Sequence, residues 1–189
     1  MNEMERWESE EGVHFLKRIG IQKGNTVADF GARIGHYAIP AAILVGAGGT
    51  VYALDKNAEA LVELQKKSAV RDASNIITIE TTSDTGINLP DQSIDALLIY
   101  DVLHMIPEIS RSALYKEVAR VLKNSGFLSI YPKHVAEDDA EGHFKNLTAE
   151  DVAREVSSAG FITQNKICGK LSHGNTLVSG CVWNFVKIT

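Results

Sequence analysis

Short apolar runs and amphipathic stretches alternate along this chain, and the alternation predicts a fold class before any single residue is considered. The runs Thr26–Phe30 (TVADF), 50–54, 75–80 (NIITIE), Ile94–Tyr100 (IDALLIY) and 127–131 have the length and composition of strands. Between them apolar residues recur at helical spacing. Residues 58–70 carry them at 61, 62, 64 and 69, and 110–123 reads as a helix capped by Ser110 and closed near Asn124 and Gly126. Residues 36–46 also read as a helix, with Pro40 tolerated only in its first turn, where a backbone N–H has no partner to lose. A lead-in helix over Val13, Leu16 and Ile19 closes at Gly20. Thr148 with Asp151 opens a further helix that runs to Ala159 and stops at Gly160. The near-continuous apolar character of Ile94–Tyr100 suits a strand covered on both faces.

Strands alternating with helices are the pattern of βαβ units around a parallel sheet. Residues 161–168 and 177–188 break it, because no helix separates them, so they are expected to pair antiparallel. The predicted fold is therefore α/β, a Rossmann-like doubly wound sheet, mostly parallel, ending in an antiparallel strand. The expected layout is one domain over 1–189, with an N-terminal segment and lead-in helix in 1–20 and the core in 21–189. The polar, acidic stretch 133–146 is expected to be a surface loop, and the residues around Trp7 a frayed terminus rather than a lid.

Charge and composition narrow the function. At 189 residues the chain buries enough surface to need no metal or disulfide for stability. A net charge of −5 without a basic run argues against general nucleic-acid binding. The first residues (MNEMERWESEEG) lack the apolar core of a signal peptide. The most apolar window, 38–54, is broken by Pro40, Gly46, Gly48 and Gly49, so no membrane span is expected. Cys168 and Cys181 lack CxxC spacing and are expected to be buried thiols in a reducing cytoplasm rather than a regulatory pair.

The chemistry concentrates in one stretch, Asp29-Phe30-Gly31-Ala32-Arg33-Ile34-Gly35, between a strand and a helix. Glycines there let backbone approach a ligand, and the following helix offers unpaired N–H groups. Asp29 adds a negative group at the carboxyl end of the strand, where open α/β sheets bind ligands. Asp55 ends the second strand roughly 20 residues on, the position from which a carboxylate accepts both hydroxyls of a ribose.

With these residues the chain resembles the class I S-adenosylmethionine-dependent methyltransferases, most closely their ubiquinone/menaquinone-biosynthesis-like branch, over nearly all of residues 12–188. That family's acid-x-Gly-x-Gly-x-Gly motif is matched from Asp29 to Gly35, and its second acid by Asp55 in VYALDKN. Ser83-Asp84-Thr85 fits the polar group after the third strand. Leu89-Pro90-Asp91-Gln92-Ser93-Ile94-Asp95 fits the run before the fourth, and Tyr100-Asp101-Val102-Leu103-His104 the segment after it. The resemblance implies a seven-stranded sheet, S-adenosyl-L-methionine as cofactor and S-adenosyl-L-homocysteine as product. It implies that Asp29, Gly31, Arg33 and Gly35 border the methionine end, Asp55 with Lys56 the ribose, and Asp84 with Thr85 the adenine. Tyr100 would offer its backbone near the amino group.

One position departs from the motif: Arg33 stands where the family has its central glycine. If the backbone there needs positive φ, a side chain costs about 1–3 kcal/mol. The guanidinium either points to solvent on a slightly wider loop or pairs with the cofactor carboxylate, or the site has degenerated. His104 has the position of a general base and Tyr100 and Tyr37 that of pocket-lining groups, although each also reads as packing beside the pocket. The run from Glu137 to His143 lacks ligands fixed by secondary structure, so no metal site is expected there or elsewhere. The expected function is methyl transfer to a small-molecule acceptor. The alternatives are a cofactor-binding protein without turnover and a nicotinamide-dependent oxidoreductase, whose Gly-x-Gly-x-x-Gly spacing is not met. Short accessory structure leaves room for a site completed in a homodimer.

Overall fold

The computed structural model describes residues 1–71 and 73–188. Seven strands form one sheet in the order β3-β2-β1-β4-β5-β7-β6. They are β1 (Thr26–Phe30), β2 (Thr50–Asp55), β3 (Ile76–Glu80), β4 (Ile94–Tyr100), β5 (Leu122–Tyr131), β6 (Phe161–His173) and β7 (Thr176–Lys187). The first five run parallel. β7 enters antiparallel between β5 and β6. β6 therefore points the same way as β5, and its carboxyl end lies on the same edge of the sheet as those of β1, β2 and β4.

Helices cover both faces, which is why the central strands are apolar on both sides. On one face, α2 (Gly12–Arg18), α3 (Ala38–Val45) and α4 (Ala58–Ala69) pack Phe15, Leu16, Ile39 and Leu64 over Val27, Val51 and Leu98. On the other, α5 (Glu108–Val121) and α6 (Ala149–Ser158) bring Leu114, Val118, Val152 and Val156 against Ala28, Leu97 and Ile130. Pro40 sits in the first turn of α3, as its missing N–H requires. Thr148 and Asp151 form a reciprocal capping box on α6.

Several expectations change. The helix after β4 begins at Glu108 with Pro107 at its cap position, so Ser110 lies inside the first turn and does not cap it. β5 begins at Leu122 directly after α5, earlier than the apolar run suggested. The N-terminal segment is not frayed: α1 (Glu3–Arg6), a π-helical turn (Trp7–Glu11) and α2 follow one another, and Trp7 is 1% exposed. Its indole N–H donates to the His36 carbonyl oxygen at 3.0 Å, anchoring the segment to the loop after β1. Lastly, Cys168 and Cys181 are not free thiols but a disulfide between directly opposed residues of β6 and β7, with Cα atoms 4.0 Å apart. Among the described residues no helix is long and apolar enough to cross a membrane.

Candidate functional site

A cleft of about 850 Å³ opens along the carboxyl edge of the sheet, within the roughly 300–1,000 Å³ of small-molecule sites. Asp29, Gly31, Arg33, Asp55, Lys56, Asp84, Tyr100 and His104 all line it. Of the expected cofactor residues, Thr85 does not line the cleft, and Gly35 stands behind the wall; Thr81 and Ser83 are on the wall beside Asp84.

The two glycines of the loop are needed by the protein itself. Gly31 has φ +83° and Gly35 φ +90°, a region costly for residues with a Cβ. A Cβ on Gly31 would also collide with the side chain of Val102, and one on Gly35 with that of Leu64. Arg33, between them, adopts φ +47° despite its side chain. Its backbone N–H donates to Asp55 Oδ2 at 2.7 Å, which holds the strained residue in place. Its side chain is exposed at the rim of the cleft, so the loop keeps the path a glycine would give it. Asp55 Oδ1 accepts from the Asn57 N–H at 2.8 Å, so this carboxylate first of all ties two loops together. Lys56 pairs with Asp84 across the same end of the cleft.

Asp29 is different. It is 2% exposed, and its Oδ2 is buried without a hydrogen-bond partner. Burial raises its pKa to about 7, the Asp55 charge adds to the rise, and the backbone of Ala38 opposes it. An acid held at the loop mouth with an unpaired oxygen leaves its ionised form short of a donor or a positive charge.

Tyr100 is a wall, not an acid or base. Its ring stands edge-on to Tyr37 with centroids 4.7 Å apart, and its hydroxyl shares a 2.7 Å hydrogen bond with Ser129. Burial drives its pKa well above the ordinary phenol value. The Tyr37 hydroxyl donates to the Ser172 carbonyl at 2.9 Å. His104 is buried at the opposite end of the cleft, and burial holds its pKa below the ordinary value despite the neighbouring Asp101. The wall beyond it is fixed by Arg111, which forks onto Glu155 at 2.7 and 2.6 Å and donates to the Ile106 carbonyl at 2.7 Å.

The cleft is also lined by Asp101, within the segment matched after the fourth strand, and by His134 and His173, which the sequence pattern does not single out. Each follows or ends a strand at the carboxyl edge (β4, β5 and β6), the same rule that located Asp29 and Asp55. The stretch 133–146 is accordingly not a plain surface loop, since Lys133, His134, Val135 and Phe144 are buried. Asp101 and His134 share with Arg33 a positive φ in a residue with a Cβ, at +58° and +65°. Strain of this kind gathers where a site dictates the backbone.

Beside the cleft, the N-terminal segment is tied to the loop after β1 and to α4. Buried Glu8 accepts from His36 Nδ1 at 2.7 Å and from Lys67 at 2.5 Å, and Arg71 stands 2.8 Å away. Burial alone would raise the Glu8 pKa, but the hydrogen bonds from His36 and Lys67 outweigh it and hold the carboxyl below its ordinary value.

A family model described as a methyltransferase domain matches residues 28–130, more than half of the chain. The chain belongs to this family. The methyltransferase domain is similar to a solved S-adenosylmethionine-dependent methyltransferase from Aquifex aeolicus, with a TM-score of 0.75 and 22% identity, covering 97% of this chain and 93% of that one. A second solved methyltransferase, from Methanosarcina mazei, superposes with a TM-score of 0.71 at 16% identity, covering 92% of this chain and 97% of that one. At these identities the likeness speaks to the fold. A protein of Pyrobaculum aerophilum named a probable cobalt-precorrin-6B C(15)-methyltransferase (decarboxylating) is 39% identical over 102 residues. The match takes in 53% of this chain and 42% of that protein, so the chain spans less than half of its relative. The cofactor of class I methyltransferases is S-adenosylmethionine. The narrower placement in the ubiquinone/menaquinone branch gains no support from these relatives.

Proposed function

We propose that the chain transfers a methyl group from S-adenosylmethionine to a small-molecule acceptor. The observation that carries this is Asp29, a buried acid with an unpaired oxygen at the mouth of the Gly31–Gly35 loop, in a cleft that runs on to a second polar cluster. When bound, S-adenosylmethionine supplies a methyl group already activated on a sulfonium, leaving S-adenosylhomocysteine.

The chain's own residues have the remaining work. Asp29 would pair with the cofactor ammonium, and the loop from Gly31 to Gly35 would carry the methionine end. Asp55, whose oxygens keep lone pairs beyond the two N–H bonds described, would accept the ribose hydroxyls. Asp84, with Ser83 beside it, would face the adenine. Val102, Ile106 and Met105 give the far wall apolar surface, which excludes water from the nucleophile and aligns it. No general base is assigned, because an acceptor that is already nucleophilic needs none. The acceptor named for the Pyrobaculum relative does not carry over on a match of this extent.

Calorimetric titration with S-adenosylhomocysteine tests the cofactor half of this reading; saturable binding that Asp29→Asn weakens is the expected result. Methyl transfer from labelled S-adenosylmethionine to a small-molecule extract tests the other half. Binding without transfer to any acceptor would make the chain a cofactor-binding protein, and no binding of either compound would end the proposal.

A further inference from the structure

At the β4–β5–β6 end of the cleft lies a polar cluster to which the proposed function gives no role. Asp101, His134 and His173 each present a possible ligand atom, and these atoms lie within 4.8 Å of one another. His173 Nδ1 is 2.6 Å from Asp101 Oδ2, and His134 Nε2 is 3.5 Å from Asp101 Oδ1. His104 Nδ1 is 3.7 Å from that same Oδ1. The rings of His104 and His134 lie 4.3 Å apart, and those of His134 and His173 5.0 Å.

Hydrogen bonding makes this more than a chance gathering. His134 Nδ1 lies 2.8 Å from the backbone carbonyl of Asp139, which can only accept, so Nδ1 carries the proton. Nε2 is then the nitrogen left to face Asp101 Oδ1, 3.5 Å away. Asp101 Oδ1 and His104 Nδ1 are both buried without any hydrogen-bond partner. Buried polar atoms left unmatched are costly. A histidine that donates its outer N–H to a backbone carbonyl while its inner nitrogen faces a cavity has the arrangement of a metal ligand. An ion about 2.1 Å from each of its donors in a tetrahedral set holds them roughly 3.4 Å apart, close to the spacings around Asp101 Oδ1.

We infer that Asp101, His134 and His173 bind a divalent transition-metal ion, with His104 as a fourth donor. Two or three imidazoles and one carboxylate suit zinc, iron(II) or cobalt(II) rather than calcium or magnesium, which prefer oxygen. The three ligands lie at or just beyond the carboxyl ends of β4, β5 and β6, so the sheet brings them together. The ion would lie in the cleft wall, in reach of a water or an acceptor oxygen. That use of the ion rests on the reading of the cleft as a methyl-transfer site; the binding does not.

The test uses the untagged full chain, stripped with chelator and dialysed against zinc or cobalt(II). The expected result is one ion per chain by elemental analysis, and a visible cobalt(II) spectrum with the intensity of a low-coordinate nitrogen/oxygen site. His134→Ala and His173→Ala should each lower zinc affinity at least tenfold, whereas His143→Ala, in the neighbouring loop, should leave it unchanged. S-adenosylhomocysteine titration of each variant reports independently that the cleft has folded. Sub-stoichiometric zinc in the wild type, or affinity unmoved in both cluster variants, overturns the inference. Zinc bound by a chain that ignores S-adenosylhomocysteine would sustain the metal site while defeating the methyl-transfer reading.

Discussion

Replacing Asp29 by asparagine should make the ligand-free protein more stable and the cofactor complex weaker, two opposite effects from one oxygen atom. The carboxyl titrates at about 7 in the folded chain, against 3.8 for the free group. A carboxyl whose folded value is raised binds its proton more tightly when folded. Its contribution to stability is therefore whole below pH 3.8, falls as the pH climbs, and is lost by about pH 7. At about 1.36 kcal/mol for each pH unit between the two values, the ionised group costs on the order of 4 kcal/mol above pH 7. Asp29 is fully buried, so solvent screening does not reduce this. Asparagine keeps an acceptor but adds an N–H₂ without a partner, which takes back about 1–3 kcal/mol. The net expectation is a gain of about 1–3 kcal/mol at pH 8 that shrinks toward zero or reverses at pH 5. Urea unfolding of both proteins at the two pH values reads it as a midpoint rise of roughly 0.5–2 M at pH 8. In the wild type, S-adenosylhomocysteine affinity should weaken below pH 7 by up to about tenfold per pH unit, because only the ionised acid pairs with the ammonium. A variant equally stable relative to wild type at pH 5 and pH 8, or one that binds the cofactor as tightly, would refute the reasoning.

Other outcomes follow from the same loop and the hairpin. Arg33→Gly should relieve a left-handed residue and change stability by no more than about 1 kcal/mol, since glycine's added chain entropy offsets the strain it removes. Its S-adenosylhomocysteine affinity should stay within a few-fold of wild type in calorimetry; a tenfold loss would show that the guanidinium clamps the cofactor after all. Gly35→Ala forces a Cβ into Leu64 at φ +90° and should cost about 2–4 kcal/mol, seen as a melting temperature lower by roughly 5–15 °C. Reduction of Cys168–Cys181, or Cys168→Ser, should cost up to about 3 kcal/mol, the value for a closed loop of this size, and less if the hairpin is already formed in the unfolded chain. Thermal unfolding with and without reductant measures it.

Much of the architecture was legible because local and global preferences agree. The strands Thr26–Phe30 and Ile94–Tyr100 have the bounds their apolar runs suggested, and the Thr148/Asp151 capping box starts α6 where it must. Asp29 and Asp55 draw attention in the sequence because each lies at the carboxyl end of a parallel strand. The same rule extended past the fourth strand points to His134 and His173. The apolar run of β6 suggests an end at Cys168, whereas the strand continues to His173. The disulfide had a signal too: Cys168 and Cys181 lie equally far from the Gly174-Asn175 turn, so they face each other once the hairpin is centred. Burial of Trp7 and Glu8 had none, because their partners His36, Lys67 and Arg71 are distant in sequence and nothing local announces them.

The place of β7 between β5 and β6 has a consequence for how the molecule is made. β6, which carries His173, joins the sheet only through β7, the strand that follows it in the chain. A nascent chain therefore exposes β6 before it has any neighbour, and the cleft gains its last wall only after β7 has left the ribosome. The Gly31–Gly35 loop needs only β1, β2 and the β4 end that carries Val102, so it can form earlier. The far end of the cleft is built last, so assembly of the two halves is separated in time as it is in space.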